Sequence, residues 1–146
     1  MIADRLESLA KYLQEKLSTL PRVRVVVEEK ANWLAQVQQS LATVGEVLVL
    51  VSFGGFRRRE KSGPLLTGSL TVDVSAHEMV STNRELPDYV TAEAVVETIA
   101  SVLHDACGTG FDRALMLESI TPNNETEISV VSARFNVEQN IWHGKE

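Results

Sequence analysis

Hydrophobic positions recur with two different periods along this 146-residue chain, and the switches between them divide it into elements. From residue 2 to 18, Ile2, Leu6, Leu9, Leu13 and Leu17 return at three- and four-residue steps. Arg5, Lys11, Glu15 and Lys16 lie off that stripe. This is the period of an amphipathic helix, with Pro21 as its stop. The β-branched stretch 22–28 that follows predicts a short strand. A second helix is expected from Asn32 as its cap, with Trp33, Leu34, Val37 and Leu41 sharing a stripe and Gly45 beyond its end.

Val47-Leu48-Val49-Leu50-Val51 is apolar at every position, as in a strand covered on both faces. Residues 70–76 instead alternate apolar and polar, as in a strand with one wet face. The simplest pairing of these two strands is an antiparallel hairpin with a long connection. A polar loop containing Pro87 is expected over 80–90. Thr91 then opens the clearest helix, with Glu93 in its first turn, Val95, Ile99, Val102, Leu103 and Ala106 on one face, and Gly108 at a left-handed cap. The last third reads as a second hairpin: a strand over 114–120, a turn at Thr121-Pro122-Asn123-Asn124, and a strand over 127–137. Residues 138–146 are left as a short tail. Hairpins with intervening helices predict a single α+β domain over 1–146, its mainly antiparallel sheet having helices packed on one face.

Composition narrows this picture. The chain is 44% hydrophobic but only 5% aromatic, so its core is aliphatic. With 14 Lys and Arg against 20 Asp and Glu, the net charge of −6 argues against general duplex binding, and nucleic acid is not an expected partner. One cysteine, Cys107, excludes an internal disulfide and a thiolate zinc cluster. No apolar run approaches the ~20 residues of a membrane-spanning helix. With Asp4 and Glu7 among the first residues, the N-terminus does not read as a signal peptide, so synthesis in a reducing cytosol is expected.

Against that acidic background stands Arg57-Arg58-Arg59-Glu60-Lys61. It is bracketed by Gly54-Gly55 and Gly63-Pro64 and lies between the two hairpin strands. It reads as the tip of a protruding hairpin arm over 53–66, with Phe53 and Phe56 anchoring its base and Gly63-Pro64 redirecting the chain. Arg57, Arg58, Arg59 and Lys61, with Phe53 and Phe56, are the candidate partner-binding residues. Aromatics at the root rather than along the basic surface fit protein contact better than base stacking. The plainer alternative is a surface loop whose charges aid solubility. Open sheet edges, and Leu65-Leu66 near the arm, are a second adhesive feature.

Catalytic patterns are weak. His77-Glu78 lacks the second histidine of a zinc protease, since position 81 is Ser, and reads as a solvated strand end. His104, Asp105 and Cys107 form the most tempting cluster, yet a cysteine at a helix C-terminus has a dipole set against its thiolate, and His104 there reads as a favourable C-terminal cation. Gly54-Gly55 and Gly108-Thr109-Gly110 lack the spacing of phosphate loops. Glu28-Glu29 and Asp73 read as solvated charge. No catalytic residue, metal site or cofactor is expected.

This order of elements resembles the tail terminator, or tail completion, proteins of tailed bacteriophages and prophages. The resemblance covers roughly residues 2–137: the leucine-striped first helix, the strand 22–28, the apolar strand 47–53 feeding a long hairpin, the helix 91–107 with Ala92-Glu93-Ala94-Val95-Val96-Glu97-Thr98-Ile99, and the closing strand Val131-Ser132-Ala133-Arg134-Phe135-Asn136-Val137. It implies a structural homo-oligomeric ring, commonly a hexamer. Such a ring caps the tail tube, limits its length and meets the neck proteins, residing in the host cytoplasm before assembly and in the virion afterwards. A closed ring repeats one heterologous interface, which suits an adhesive arm on an acidic body. The alternative is a small cytosolic α+β adaptor or regulatory protein-binding module whose arm docks an acidic partner.

Overall fold

A computed structural model describes residues 2–29, 31–42, 45–62, 65–123 and 127–142; at 59–62, 65, 66 and 140–142 it describes the backbone. The expected α+β fold is present. In chain order the elements are α1 (Ile2–Lys16), β1 (Val23–Val27), α2 (Trp33–Leu41), β2 (Val47–Ser62), β3 (Leu65–Met79), the single turn α3 (Val80–Asn83), α4 (Ala92–Leu103), β4 (Met116–Pro122) and β5 (Ile128–Trp142). The strands form one sheet in the order β1-β2-β3-β5-β4. Only β1 and β2 run parallel, joined by the α2 crossover; the other three pairings are antiparallel.

The main core lies between one face of the sheet and helices α1 and α4. Leu6, Leu9, Leu13 and Leu17 from the first helical segment meet Val47, Val49 and Val51 of β2, Leu70, Val72, Val74 and Ala76 of β3, and Val95, Val96, Ile99 and Leu103 of α4. The opposite face of β2 presents Leu48 and Leu50 to Val37 and Leu41 of α2. That second layer accounts for the unbroken apolar run 47–51: both faces of the strand are covered. The two long helices thus share one face, and the short α2 takes the other. Trp33 and Leu34, expected on its apolar stripe, are 47% and 52% exposed. Asn32 precedes α2 without a side-chain capping bond.

Thr91 does cap α4, its hydroxyl accepting from Ala94 N–H at 3.1 Å. The helix stops earlier than expected, at Leu103. His104 turns extended and Asp105 takes the left-handed conformation (φ 59°), so Gly108 is not the cap residue. The chain released this way runs beside β4: Asp105 N–H donates to Leu115 O at 2.8 Å, and Ala106 bridges to Leu115.

The largest departure is in strand length. β2 and β3 stay paired from Val47↔Glu78 to Ser62↔Leu65, and β5 follows β3 out to Leu65↔Trp142. Residues 138–142, read as tail, are therefore strand. Residues 57–62, read as the tip of an arm, are also strand. Gly63 and Pro64, Asn124 of the expected turn, and 143–146 lie outside the described residues.

Candidate partner-binding surface

The basic stretch owes its position to where its neighbours end. β1 stops at Val27↔Val51 and β4 begins at Met116↔Asn136. Beyond these points only β2, β3 and β5 continue. At ~3.3 Å per residue, the stretch from Thr71 to Leu65 adds about 20 Å of three-stranded sheet. Residues 53–62 of β2 form its outer strand on one side, with no further strand beside them among the described residues.

Two irregularities shape that outer strand, one between Phe53 and Gly55 and one between Arg58 and Glu60. Gly55 has φ 129°, a conformation open to glycine alone, and makes the first bulge possible. Phe53 and Phe56 are half-buried and pack against the main core. The Phe56 ring leans over Gly68 on β3. A Cβ at position 68 would sit 2.8 Å from that ring and 2.2 Å from Arg57 O. The root of the extension is thus a phenylalanine filling the space a glycine leaves across the ladder.

Past this root come Arg57, opposite Ser69, and Arg58, opposite Gly68. Adjacent strand residues project to opposite faces, so the two guanidinium groups stand on the two sides of the extension. Both are exposed, and neither has an ion pair among the described residues. Several arginines elsewhere are matched, Arg5 with Asp112 at 3.0 Å, Arg22 with Asp88 at 2.8 Å and Arg134 with Asp73 at 2.9 Å, while the exposed Arg113 also has no ion pair among the described residues. The Arg22 hydrogen bond holds the Asp88 carboxyl below its usual range. The side chains of Arg59 and Lys61 lie outside the described residues. Outside the stretch 57–61, ten basic residues face nineteen acidic ones, a net charge of −9, while the stretch carries +3. The charge is segregated onto one edge strand, where charged side chains and bulges also keep neighbouring strands from adding.

His77-Glu78 is not a solvated strand end, which corrects the expectation. Glu78 is fully buried. Its carboxylate accepts from the Asn83 amide, from Ala92 N–H at 2.9 Å and from Arg84 Nε at 3.3 Å. Ala92 opens α4, so the buried anion sits on a helix N-terminus, where free N–H groups and the dipole favour negative charge. Asn83 also donates to Val90 O at 2.9 Å. One carboxylate thereby ties the end of β3 to α3 and the start of α4. His77, on the opposite face of β3, is 8% exposed, and burial pushes its pKa down from 6.5 to about 4. Its Nε2 lies 3.0 Å from Ser75 Oγ. No carboxylate orients the ring, so a Ser-His-acid relay is not assembled among the described residues.

The other sequence candidates separate. His104 accepts Leu117 N–H at Nδ1 (3.0 Å), which makes it a bracket for the start of β4. Cys107 is exposed and shares no hydrogen bond with it. Asp73 is not free solvated charge, since Arg134 grips both its oxygens at 2.9 and 3.2 Å. That pair sits with Ser52, Ser75, Ser119, Thr121 and Ser132 on a polar depression of about 450 Å³, the part of the sheet face that α2 leaves uncovered. Among the described residues, no group of three or more His, Cys, Asp or Glu is placed to hold a metal, and no helix is long and apolar enough to cross a membrane. Comparison with family models and with curated proteins finds no match to this chain.

Proposed function

We propose that this chain is a structural assembly protein that acts by binding rather than by catalysis. In our reading it is a ring-forming subunit of the phage tail terminator kind, with itself, the tail tube and the neck proteins as partners and the virion as its final location. One observation carries the reading. The β2-β3-β5 sheet continues past its flanking strands, and its outer strand concentrates positive charge on an otherwise acidic molecule, with Arg57 and Arg58 exposed and without an ion pair among the described residues. Such a strand repels its own copy and attracts an acidic surface, which fits a heterologous contact and disfavours an isologous one. The aromatic root supplies stiffness, so the charges are presented on paired backbone at low cost in ordering.

The test replaces Arg57, Arg58, Arg59 and Lys61 together with Ser and follows mass by light scattering across a salt series, with and without tail-tube protein. The wild type is expected to form a closed oligomer of several copies, weakened by salt. The variant is expected to keep its circular dichroism spectrum and lose the assembly. A wild-type chain that stays monomeric in every arm, tube included, overturns the proposal. So does an assembly indifferent to both salt and substitution.

A further inference from the structure

β1 is an outer strand of the sheet, and its free edge is already occupied by side chains. Val47 N–H donates to Arg22 O and Glu28 N–H to Val51 O, which turns the even-numbered residues of the β1 segment toward β2. With a period of two, the backbone groups of Val23, Val25, Val27 and Glu29 face outward. Gln14 of α1 donates Nε2–H to Val23 O at 3.1 Å and accepts Val25 N–H at Oε1 at 2.9 Å. Gln36 of α2 repeats the arrangement four residues on. It donates to Val27 O at 3.1 Å and accepts Glu29 N–H at 2.9 Å. Each amide therefore takes the carbonyl of one residue and the N–H of the residue two ahead. Those are the two bonds that one residue of an added parallel strand makes, and a primary amide carries the same donor and acceptor as a peptide unit. Val25 O and Val27 N–H, between the two glutamines, and Val23 N–H before them are the outward groups left without a hydrogen bond among the described residues.

We infer that Gln14 and Gln36 form a surrogate strand that closes the β1 edge against strand addition by a second copy of this chain. The edge requires closing. Val23-Arg24-Val25-Val26-Val27 combines high β-propensity with a single charge, and that charge is engaged by Glu46 at 3.6 Å. The two glutamines reach the edge from helices on opposite faces of the sheet. Between those helices lies a groove of about 600 Å³ lined by Gln14, Gln36, Arg24, Val25 and Val27. A second copy is the natural occupant, because two β1 edges related by a two-fold axis offer each other the same outward groups in antiparallel pairing. The inference does not depend on the proposed function.

The experiment uses Gln14→Met with Gln36→Met, which preserves side-chain length and helix propensity while removing both amides. In an Arg57→Ser, Arg58→Ser background, light scattering is expected to show a new self-association, at least tenfold tighter than in the glutamine parent and unaffected by salt. Adding Val25→Pro should reverse it, since proline deletes an outward N–H that β1 does not use toward β2. A folded double variant with the parent's mass at all concentrations overturns the inference. Hydrogen exchange on the single variants decides the matter if the double variant fails to fold. Val25 N–H in Gln14→Met and Glu29 N–H in Gln36→Met should each exchange at least tenfold faster than in the wild type, and unchanged rates overturn the inference.

Discussion

The buried imidazole of His77 makes the stability of this fold depend on pH in a window that carboxylates alone do not explain. The ring is 8% exposed, with Leu48 and Val130 as its cross-strand neighbours and Ser75 Oγ at 3.0 Å. No carboxylate faces it through a hydrogen bond or ion pair among the described residues, so nothing compensates the cost of burying an imidazolium. Its pKa is near 6.5 in the unfolded chain and about 4 in the folded one. The unfolded state therefore binds the proton first. The contribution of neutral His77 is fully present above pH 6.5, is lost as pH falls from 6.5 to about 4, and changes no further below that. A 2.5-unit gap corresponds to roughly 3.4 kcal/mol at its limit and about 2 kcal/mol at pH 5, a large share of a typical folding stability of ~5–15 kcal/mol. Urea unfolding of the wild type and of His77→Gln at pH 7.5, 6, 5 and 4.5 isolates this contribution, because the other acidic groups titrate in both. The wild type should lose about 2 kcal/mol more than the variant between pH 7.5 and 5. Parallel stability curves, or an NMR titration of the ring with its midpoint near 6.5 in the folded protein, would refute the reasoning.

Three further perturbations read other parts of the frame. Glu78→Ala strips the partner from Ala92 N–H and one bond from Asn83 in a buried site, and calorimetry should show a loss of about 2–4 kcal/mol; a loss below ~1 kcal/mol would mean that water replaces the carboxylate. Thr91→Ala should cost about 1 kcal/mol and Thr91→Ser much less, measured by urea midpoint, because only the capping oxygen matters. Gly68→Val should loosen the three-stranded extension while leaving the core intact, since a Cβ there would meet Arg57 O at 2.2 Å and the Phe56 ring at 2.8 Å; faster amide exchange confined to residues 56–58 and 68–70 is the expected signature.

Much of the frame was legible because its signals are local. The stripe Leu6, Leu9, Leu13, Leu17 is a helix period, the run 47–51 is a doubly covered strand, and Thr91 is a cap whose partner lies three residues away. What escaped depends on partners distant in sequence. Glu78 reads as solvent-facing until the fold brings up Asn83, Arg84 and the first N–H of α4. Its one sequence trace is an acidic residue a loop's length before a helix start. Arg57-Arg58-Arg59-Glu60-Lys61 has no strand propensity; its pairing is imposed by β3, which is in turn held by β5 along its whole length. Gln14 and Gln36 look like ordinary polar positions on two helices, and only the exposed edge of β1 gives them a task.

The sheet edges explain how these parts fit one another. A mixed sheet with two outer strands and a three-stranded extension has several rows of backbone groups open to a neighbour, and three of these rows are treated differently. The β1 edge is closed by neutral amides, which present no charge and so neither attract nor steer a partner. The start of β4 is covered by the segment released from α4 at Asp105, and farther along Pro122 contributes no N–H. The outer strand of the extension is guarded by Arg57 and Arg58 and two bulges, a protection that depends on what approaches. Like charges directly opposite one another are destabilising and opposite ones stabilising, by roughly 0.2–1 kcal/mol per cross-strand pair. Several such pairs make a basic strand exclude its own copy yet admit an acidic one, and salt weakens both effects because the charges are exposed. Under the proposed function, one edge closed outright and another guarded conditionally would direct the extension to the acidic body of a neighbour, which is the asymmetry a heterologous assembly requires.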